Sequence, residues 1–396
     1  MKTYQYKGYL SNGASQKGII EADNIKEARR NLVSKGIFPE KVTDSKNFKS
    51  RLNTTARSTV YRELSTLLKA GIPLAKAFDM LIDSPDIGNN RIILGNIRDQ
   101  IKEGSNLASA FSNASKSFKP FELAVIESAE ETGSLDIMFN NLANFLEEKD
   151  VLQDKIKMAM IYPSIIMFVG VCVAIIMLVF LLPKTAEIIG ETTEKLPAIT
   201  NIMMNIGTIV TQWGIPFLAV IIGGIFFLRQ TLKNNQQFKL KFERNKFKIP
   251  IFGKALTILA NLRFASTMSM LLSGGVSVLT AFKLSGKVTG NQWLALMAEQ
   301  QALTVEHGGK LSDSVRQIAP LAESLPSWIQ VGEATGELPQ MFQSASERYS
   351  RKWDKYIARL LNLMEPVLIL TIGVFVLLIV LAVLLPILSL TKSIGT

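Results

Sequence analysis

Ile161-Tyr162-Pro163 leads into Ser164-Ile165-Ile166-Met167-Phe168-Val169-Gly170-Val171-Cys172-Val173-Ala174-Ile175-Ile176-Met177-Leu178-Val179-Phe180-Leu181-Leu182, and Pro183-Lys184 follows. No side chain between the two prolines carries a charge. Nineteen helical residues rise about 28 Å, the thickness of a bilayer's hydrocarbon core. An echo lies 203 residues on: Glu365-Pro366, an uncharged run to Leu385, then Pro386. Pro163 pairs with Pro366 and Pro183 with Pro386, so a membrane span and its bracketing prolines occur twice, the mark of a duplicated module.

The duplication continues upstream. Leu67-Leu68-Lys69-Ala70-Gly71-Ile72 matches Leu271-Leu272-Ser273-Gly274-Gly275-Val276, and Gly104-Ser105-Asn106-Leu107 matches Gly308-Gly309-Lys310-Leu311, both at an interval of 204. Glu130-Glu131-Thr132-Gly133-Ser134-Leu135 matches Glu333-Ala334-Thr335-Gly336-Glu337-Leu338 at 203. Four landmarks in one order with one slip define two copies, Tyr61–Lys184 and Phe264–Ile387, each a helical part ending in a span.

Of the 396 residues 48% are apolar and 19% charged, which suits a membrane protein because the apolar residues cluster in long runs. Cys172 is the one cysteine, so no intramolecular disulfide forms. The first forty residues have no apolar core segment and are not expected to hold a cleavable signal peptide. The net charge of +11 lies almost wholly outside the spans and outside Pro183–Gln212, which is net negative. By the positive-inside rule the basic parts, the N-terminus included, are cytoplasmic. Basic residues without aromatic interleaving give no reason to expect nucleic-acid binding.

In chain order, 1–45 reads as a small α/β unit. Lys2–Leu10 is a strand with Tyr4, Tyr6 and Tyr9, Asn12-Gly13 a hairpin turn, Lys17–Glu21 the return strand, and Asn24 with Glu27 opens a helix that Gly36 stops. Residues 46–58 are polar and read as a linker. The first helical domain is expected over 59–160 and transmembrane helix 1 over 161–184. A periplasmic segment (185–204), transmembrane helix 2 (205–228), a basic linker with the second helical domain (229–363), transmembrane helix 3 (364–390) and a periplasmic tail (391–396) complete the chain. Pro163 either starts the first span or kinks a helix running on from Ser134–Lys157; periodicity does not separate the two. After Leu228 come Arg229, Lys233, Lys239, Lys241, Arg244, Lys246, Lys248 and Lys254 against one acid, Glu243, a cluster suited to anionic lipid headgroups.

No phosphate loop is present, and Gly308-Gly309-Lys310-Leu311 lacks the spacing for one. One histidine, His307, reads as a solvated loop residue, and with one cysteine it cannot build a triad or a transition-metal site. Apart from Lys184 and Glu365 at their edges, the spans hold no Asp, Glu, Lys, Arg or His, which argues against the alternative of a transporter or channel component. No catalytic residue and no cofactor is expected. In Glu-x-x-Gly-x-Leu, Gly133 and Gly336 read as helix C-caps. Glu130 and Glu333 then sit in a last turn, where the helix dipole disfavours an acid, so each needs a partner such as an arginine of the module or of another protein. The first module also carries the acids Glu127, Glu131, Asp136, Glu147, Glu148 and Asp150. Glu127, Glu130, Glu131, Gly133, Glu148, Glu333 and Gly336 are the interaction candidates, and Pro163, Pro183, Pro366 and Pro386 bracket the membrane.

These residues resemble the type II secretion F protein and type IV pilus PilC family. The likeness includes Gly18-Ile19-Ile20-Glu21-Ala22-Asp23, Ala28-Arg29-Arg30, Ile161-Tyr162-Pro163, Leu182-Pro183-Lys184, Ile249-Pro250-Ile251-Phe252-Gly253-Lys254, Met364-Glu365-Pro366 and both Glu-x-x-Gly-x-Leu motifs. The resemblance implies an all-α membrane protein with two six-helix cytoplasmic bundles, three spans and a small N-terminal α/β unit. It implies a non-enzymatic inner-membrane platform in a homo-oligomer. The partners it implies are a cytoplasmic assembly ATPase, other inner-membrane assembly proteins and a pilin or pseudopilin. Some members of the secretion branch bind calcium through acids at positions that fall here on Asp86, Asn140 and Asn144; two of the three are neutral, a poor set for a hard cation.

Overall fold

The computed structural model describes residues 2–44, 51–84, 87, 90–184, 187 and 198–394. Strands β1 (Lys2–Leu10), β2 (Ser15–Ala22) and β3 (Ile37–Asp44) form an antiparallel sheet in the order β2-β1-β3. Tyr4 and Tyr6 of β1 and Ile20 and Ala22 of β2 alternate onto one face and are covered by Ala28 and Leu32 of α1 (Ile25–Ser34). Asn24 caps α1 by accepting from Glu27 N–H at 3.0 Å. β3, inside the expected unit but not foreseen as a strand after the helix stop at Gly36, adds Ile37 and Val42 to the core, and its Pro39 lies opposite Gly8 where the register shifts.

Two sets of six helices follow among the described residues. The first is α2 (Thr54–Lys69), α3 (Leu74–Asp83), α4 (Arg91–Lys102), α5 (Leu107–Ala114), α6 (Pro120–Thr132) and α7 (Leu135–Ile176). After α8 (Ala198–Asn234) and α9 (Gln236–Asn245) comes the second: α10 (Phe252–Ser273), α11 (Val278–Val288), α12 (Gln292–Glu306), α13 (Leu311–Arg316), α14 (Leu325–Thr335) and α15 (Leu338–Ile394). α2 starts inside the stretch read as linker: Asn53 accepts from Ala56 N–H at 2.7 Å, and Leu52 is already buried.

One compact unit comprises residues 1–153 and 249–351. In its first module Tyr61, Phe78, Phe111 and Phe139 are fully buried in one ring cluster, with Tyr61 and Phe139 centroids 5.6 Å apart. In the second, Phe264, Phe282 and Phe342 do the same work with centroids 5.8 and 6.3 Å apart. Each such side chain contributes about 1.5–3 kcal/mol on burial. His307 caps the end of α12 and is exposed.

The other unit, 154–248 and 352–396, holds the apolar runs. Pro163 lies inside α7, so the module's last helix continues unbroken into the span, and Pro366 likewise lies inside α15. Met177–Leu181, just before Pro183, is a π-turn. A proline lacks the N–H that its fourth preceding carbonyl would accept. Pro386 leaves the Ala382 carbonyl in this state, and Thr200 of α8 donates its hydroxyl to that oxygen at 2.8 Å. Gly207 lets α8 approach closely, since a Cβ there would stand 2.9 Å from the Leu178 carbonyl oxygen. Leu178, Leu182, Met203, Ile379 and Ala382 are buried together in this three-helix contact.

By length and composition α7 with its extension, α10 and α15 could each cross a bilayer. α10 is a core helix instead, because Phe264, Ala265, Met268 and Leu271 are completely buried within the protein. α8 shows the opposite pattern, with Trp213, Phe217, Val220, Phe226 and Phe227 all more than 60% exposed on the part of the helix that is uncharged up to Leu228. An apolar stretch this exposed suits lipid. That leaves α7, α8 and α15 as the candidate spans.

Candidate functional site: glutamate caps and the acidic face of the first module

α6 ends at Gly133, whose φ of 69° is left-handed, and α14 ends at Gly336 with φ 75°. Only glycine adopts this conformation without strain, which fixes the glycine of the motif. One turn earlier, Glu130 turns its carboxylate to the start of α5 and accepts from Leu107 N–H at 2.8 and 3.0 Å. Glu333 does the same at the start of α13, accepting from Leu311 N–H at 2.6 Å, Ser312 N–H at 3.4 Å and the Ser312 hydroxyl at 2.5 Å. Two landmarks of the repeat are thus the two ends of one contact. The partner expected for these acids is a helix N-terminus rather than an arginine. Its positive end and direct hydrogen bonds outweigh the unfavourable dipole of the acid's own helix.

Other contacts recur with changed residues. Ser65 donates to the Asp136 carbonyl at 2.7 Å and Ser269 to the Pro339 carbonyl at 3.0 Å. Arg57 donates to the Ser117 carbonyl at 2.9 Å; its counterpart Asn261 donates to the Pro320 carbonyl at 2.7 Å. In the first module Arg57 is also ion-paired with the fully buried Glu122. Glu122 further accepts from the Tyr61 hydroxyl at 2.8 Å and Lys119 N–H at 3.2 Å. Burial and the neighbouring Glu122 hold the Tyr61 phenol well above its usual range. In the second module the matching positions are Ala265 and Leu325, and no charge is buried there. Sequence reading missed this triad because Arg57 fell in the supposed linker. The signal was there in the repeat itself, which sets Arg57 opposite Asn261 on the first helix of each copy.

The acidic residues divide by environment. Glu147 is paired with Arg62 at 2.8 Å, and Asp150 accepts from Thr55 at 2.9 Å. Glu127, Glu131 and Glu148 are exposed. Although Glu148 is exposed as a whole, partial desolvation of its carboxyl, and secondarily the like charge of Glu347, push that carboxyl up. Arg62 also donates to Asn140, and to Asn144 at 2.6 Å, so a guanidinium lies against the two asparagine oxygens. Asp86 lies outside the described residues. No group of three or more His, Cys, Asp or Glu able to hold a metal occurs among the described residues. Of the bracketing prolines, Pro163, Pro366 and Pro386 all lie within helices, and Pro183 follows the π-turn.

The family model for type II secretion system protein F matches residues 60–183 and again 264–386, and the model for that protein's N-terminal domain matches 1–43. The chain is 25% identical to type II secretion system protein F of Vibrio cholerae over 99% of both chains. It is 28% identical to type IV pilus assembly protein PilC of Thermus thermophilus, over 100% of this chain and 99% of the relative. Against type II secretion system protein F of Pseudomonas aeruginosa the identity is 25% over the whole of both. With both copies and the N-terminal unit matched in order, the chain belongs to the type II secretion system protein F family, which its PilC relatives join to type IV pilus assembly.

Proposed function

We propose that this protein is the inner-membrane platform of a type II secretion system or type IV pilus, coupling a cytoplasmic assembly ATPase to the polymerisation of a pilin or pseudopilin. The observation that carries the reading is the continuity of α7 (Leu135–Ile176) and α15 (Leu338–Ile394), each running from a packed module into an apolar span. A helix without a break is a stiff rod, so a displacement applied to a module reaches membrane depth. Such a device needs no catalytic group of its own.

In this reading both modules and the N-terminus are cytoplasmic, and 185–204 and 391–396 are periplasmic. The basic run from Arg229 to Lys254 lies against anionic headgroups. The first module is the ATPase-facing one. Glu127, Glu131 and Glu148 form its docking acids, because Glu147 and Asp150 are already engaged and Glu130 caps α5. The sheet unit on the same side gives the ATPase a second contact and raises its effective concentration.

The experiment is to change Glu127, Glu131 and Glu148 together to lysine and to measure ATPase binding, membrane insertion and secretion or piliation. Charge complementarity acts on on-rate and specificity, so the triple reversal is expected to abolish co-purification of the ATPase while insertion stays normal. Normal binding and assembly by a stably inserted variant would overturn the docking assignment. Topology is tested separately in intact cells of a Cys172→Ser strain. A periplasmic thiol reagent should label Thr193→Cys and spare Gln237→Cys; the reverse pattern overturns the orientation.

A further inference from the structure

The two modules touch each other within the chain through unlike surfaces. The turn between α10 and α11 sits on α6 and the start of α7. A Cβ placed on Gly275 would lie 3.1 Å from the Ser128 hydroxyl oxygen, and one on Gly274 would lie 3.1 Å from the Met138 sulfur. Because the modules repeat, each of these surfaces has a twin on the other module. The twin of the turn is Ala70-Gly71 with α3. The twin of the receiving face is α14 around Val331 and Thr335, with Met341 in place of Met138.

Both twins are bare among the described residues. Among the described residues nothing lies within 4 Å of a Cβ built on Gly71. Ala70 is exposed where Gly274 is buried, and Met80 is 45% exposed where its counterpart Leu284 is half-buried. Val331 is 50% exposed where its counterpart Ser128 is half-buried. A two-fold arrangement of the modules would have occupied both pairs of surfaces, so the intrachain contact is head-to-tail and leaves one surface of each kind open.

The residue changes at the bare twins suit a mutual fit. Exposed Lys69 and Lys76 stand on the turn side where the second module has Ser273 and Thr280. On the α14 side Glu337 replaces Ser134, while Glu127, Ser128 and Glu131 give way to Gln330, Val331 and Ala334. One face has become basic beside an exposed methionine. The other has lost two acids, gained a valine and gained an acid, Glu337, at its edge.

We propose that the Ala70–Gly71 turn and Met80 dock onto α14 of a second copy of this chain, around Val331 and Thr335, repeating between chains the contact that joins the modules within one. Each chain then supplies two consecutive steps of a head-to-tail assembly, which closes into a ring with an even number of modules where the rotation permits. Spans in α7 and α15 run in the same sense because one span separates them. A rotation about the membrane normal therefore keeps every module on the same side.

The test uses the full chain with Cys172→Ser, extracted in mild detergent. Two differently tagged populations carrying Ala70→Cys and Val331→Cys are co-expressed and treated with a short bis-maleimide. The expected result is a cross-link joining the Ala70→Cys chain to the Val331→Cys chain, at least tenfold more abundant than with Lys116→Cys in place of Ala70→Cys. Predominant Val331–Val331 or Ala70–Ala70 products, or a yield no greater than with Lys116→Cys, overturn the proposal. Independently, Met80→Glu or Val331→Glu should weaken self-association at least tenfold by mass photometry, with helix content by circular dichroism unchanged. A particle of unchanged mass in either variant also overturns it.

Discussion

Removing the carboxylate of Glu333 should open the start of α13 far more than removing Glu130 opens α5. The reason is how many groups each carboxylate serves and what else caps the helix. Glu333 accepts from Leu311 N–H at 2.6 Å and the Ser312 hydroxyl at 2.5 Å, and Lys310, at the N-cap position, makes no side-chain cap bond. Glu130 serves Leu107 N–H alone, and Asn106 already caps α5 by accepting from Ser109 N–H at 2.9 Å. A hydrogen bond to a charged group contributes about 1.5–3 kcal/mol, and leaving a buried donor unpaired costs about 1–3 kcal/mol. Loss of a sole cap adds about 1 kcal/mol. Because these effects overlap, Glu333→Ala should cost about 2–4 kcal/mol locally and Glu130→Ala about 1–2 kcal/mol. The assay is amide hydrogen exchange of the full-length protein in detergent, read on peptides covering 307–316 and 104–114. If exchange follows local opening, protection over Leu311–Val315 should fall about 30-fold to several hundred-fold in Glu333→Ala, and about 5- to 30-fold over α5 in Glu130→Ala. Equal losses in the two variants, or a change below about fivefold at α13, would refute the reasoning.

Three further outcomes follow from other contacts. Glu122→Leu should destabilise the first module by about 3–5 kcal/mol, because it leaves the Arg57 guanidinium buried without its carboxylate, whereas Arg57→Asn with Glu122→Leu should recover more than half of that; denaturant unfolding in which the double variant is as unstable as the single one would sink the idea. Since burial and Glu347 raise the Glu148 carboxyl, the folded state favours its protonated form, and its contribution to stability is present at low pH and lost as pH rises through the raised value. Glu148→Gln should therefore raise Tm at pH 8 and leave it unchanged at pH 4, and an unchanged or lower Tm at pH 8 contradicts the assignment. Gly207→Ala should destabilise the span bundle by about 1–3 kcal/mol, because its Cβ would meet the Leu178 carbonyl at 2.9 Å; a thermal scan in detergent showing no loss would mean that α8 can shift freely.

What the sequence revealed and what it withheld divide along sequence separation. The repeat and the long apolar runs are read along the chain and the left-handed glycines from local pattern, and each was legible. The third strand was not. Ile37-Phe38-Pro39-Glu40-Lys41-Val42 interrupts its alternation with a proline that only a register shift opposite Gly8 accommodates. The passage through Pro163 was undecidable locally, because a proline fits a helix start and a helix interior alike. The partners of Glu130 and of Arg57 lie 23 and 65 residues away, so only the packed module brings them together. The start of α2 was within reach: Asn53 carries the side chain an N-cap needs, yet the polar residues around it read as linker. Of the seven interaction candidates, Glu130, Gly133, Glu333 and Gly336 have positions explained by the module's own architecture. The exposed acids Glu127, Glu131 and Glu148 remain as candidates for outside contact.

A duplicated chain is its own control experiment, and that separates what the fold requires from what one copy has added. The serine on the first helix that bonds a carbonyl at the start of the last, the long polar side chain that bonds the loop before α6 or α14, and the glutamate that caps its neighbour occur in both modules. They form without regard to whether a charge is buried beside them. The second module completes the same frame with Asn261, Ala265 and Leu325, so the Arg57–Glu122–Tyr61 triad is not needed to build a module of this kind. A buried ion pair seldom stabilises more than a well-packed apolar substitute, because desolvation offsets its Coulombic gain. Its presence in one copy is then better read through geometry than through stability. Arg57 has contacts 60 to 65 residues away on the loop before α6 and on α6 itself, while Asn261 reaches only the corresponding loop. The triad clamps α2 to α6, and α6 is the helix that receives the second module and carries Glu127 and Glu131 on its exposed side. Extra rigidity thus lies under the helix on which both the intrachain contact and the proposed docking surface depend, and α14, which lacks the clamp, is the helix left open.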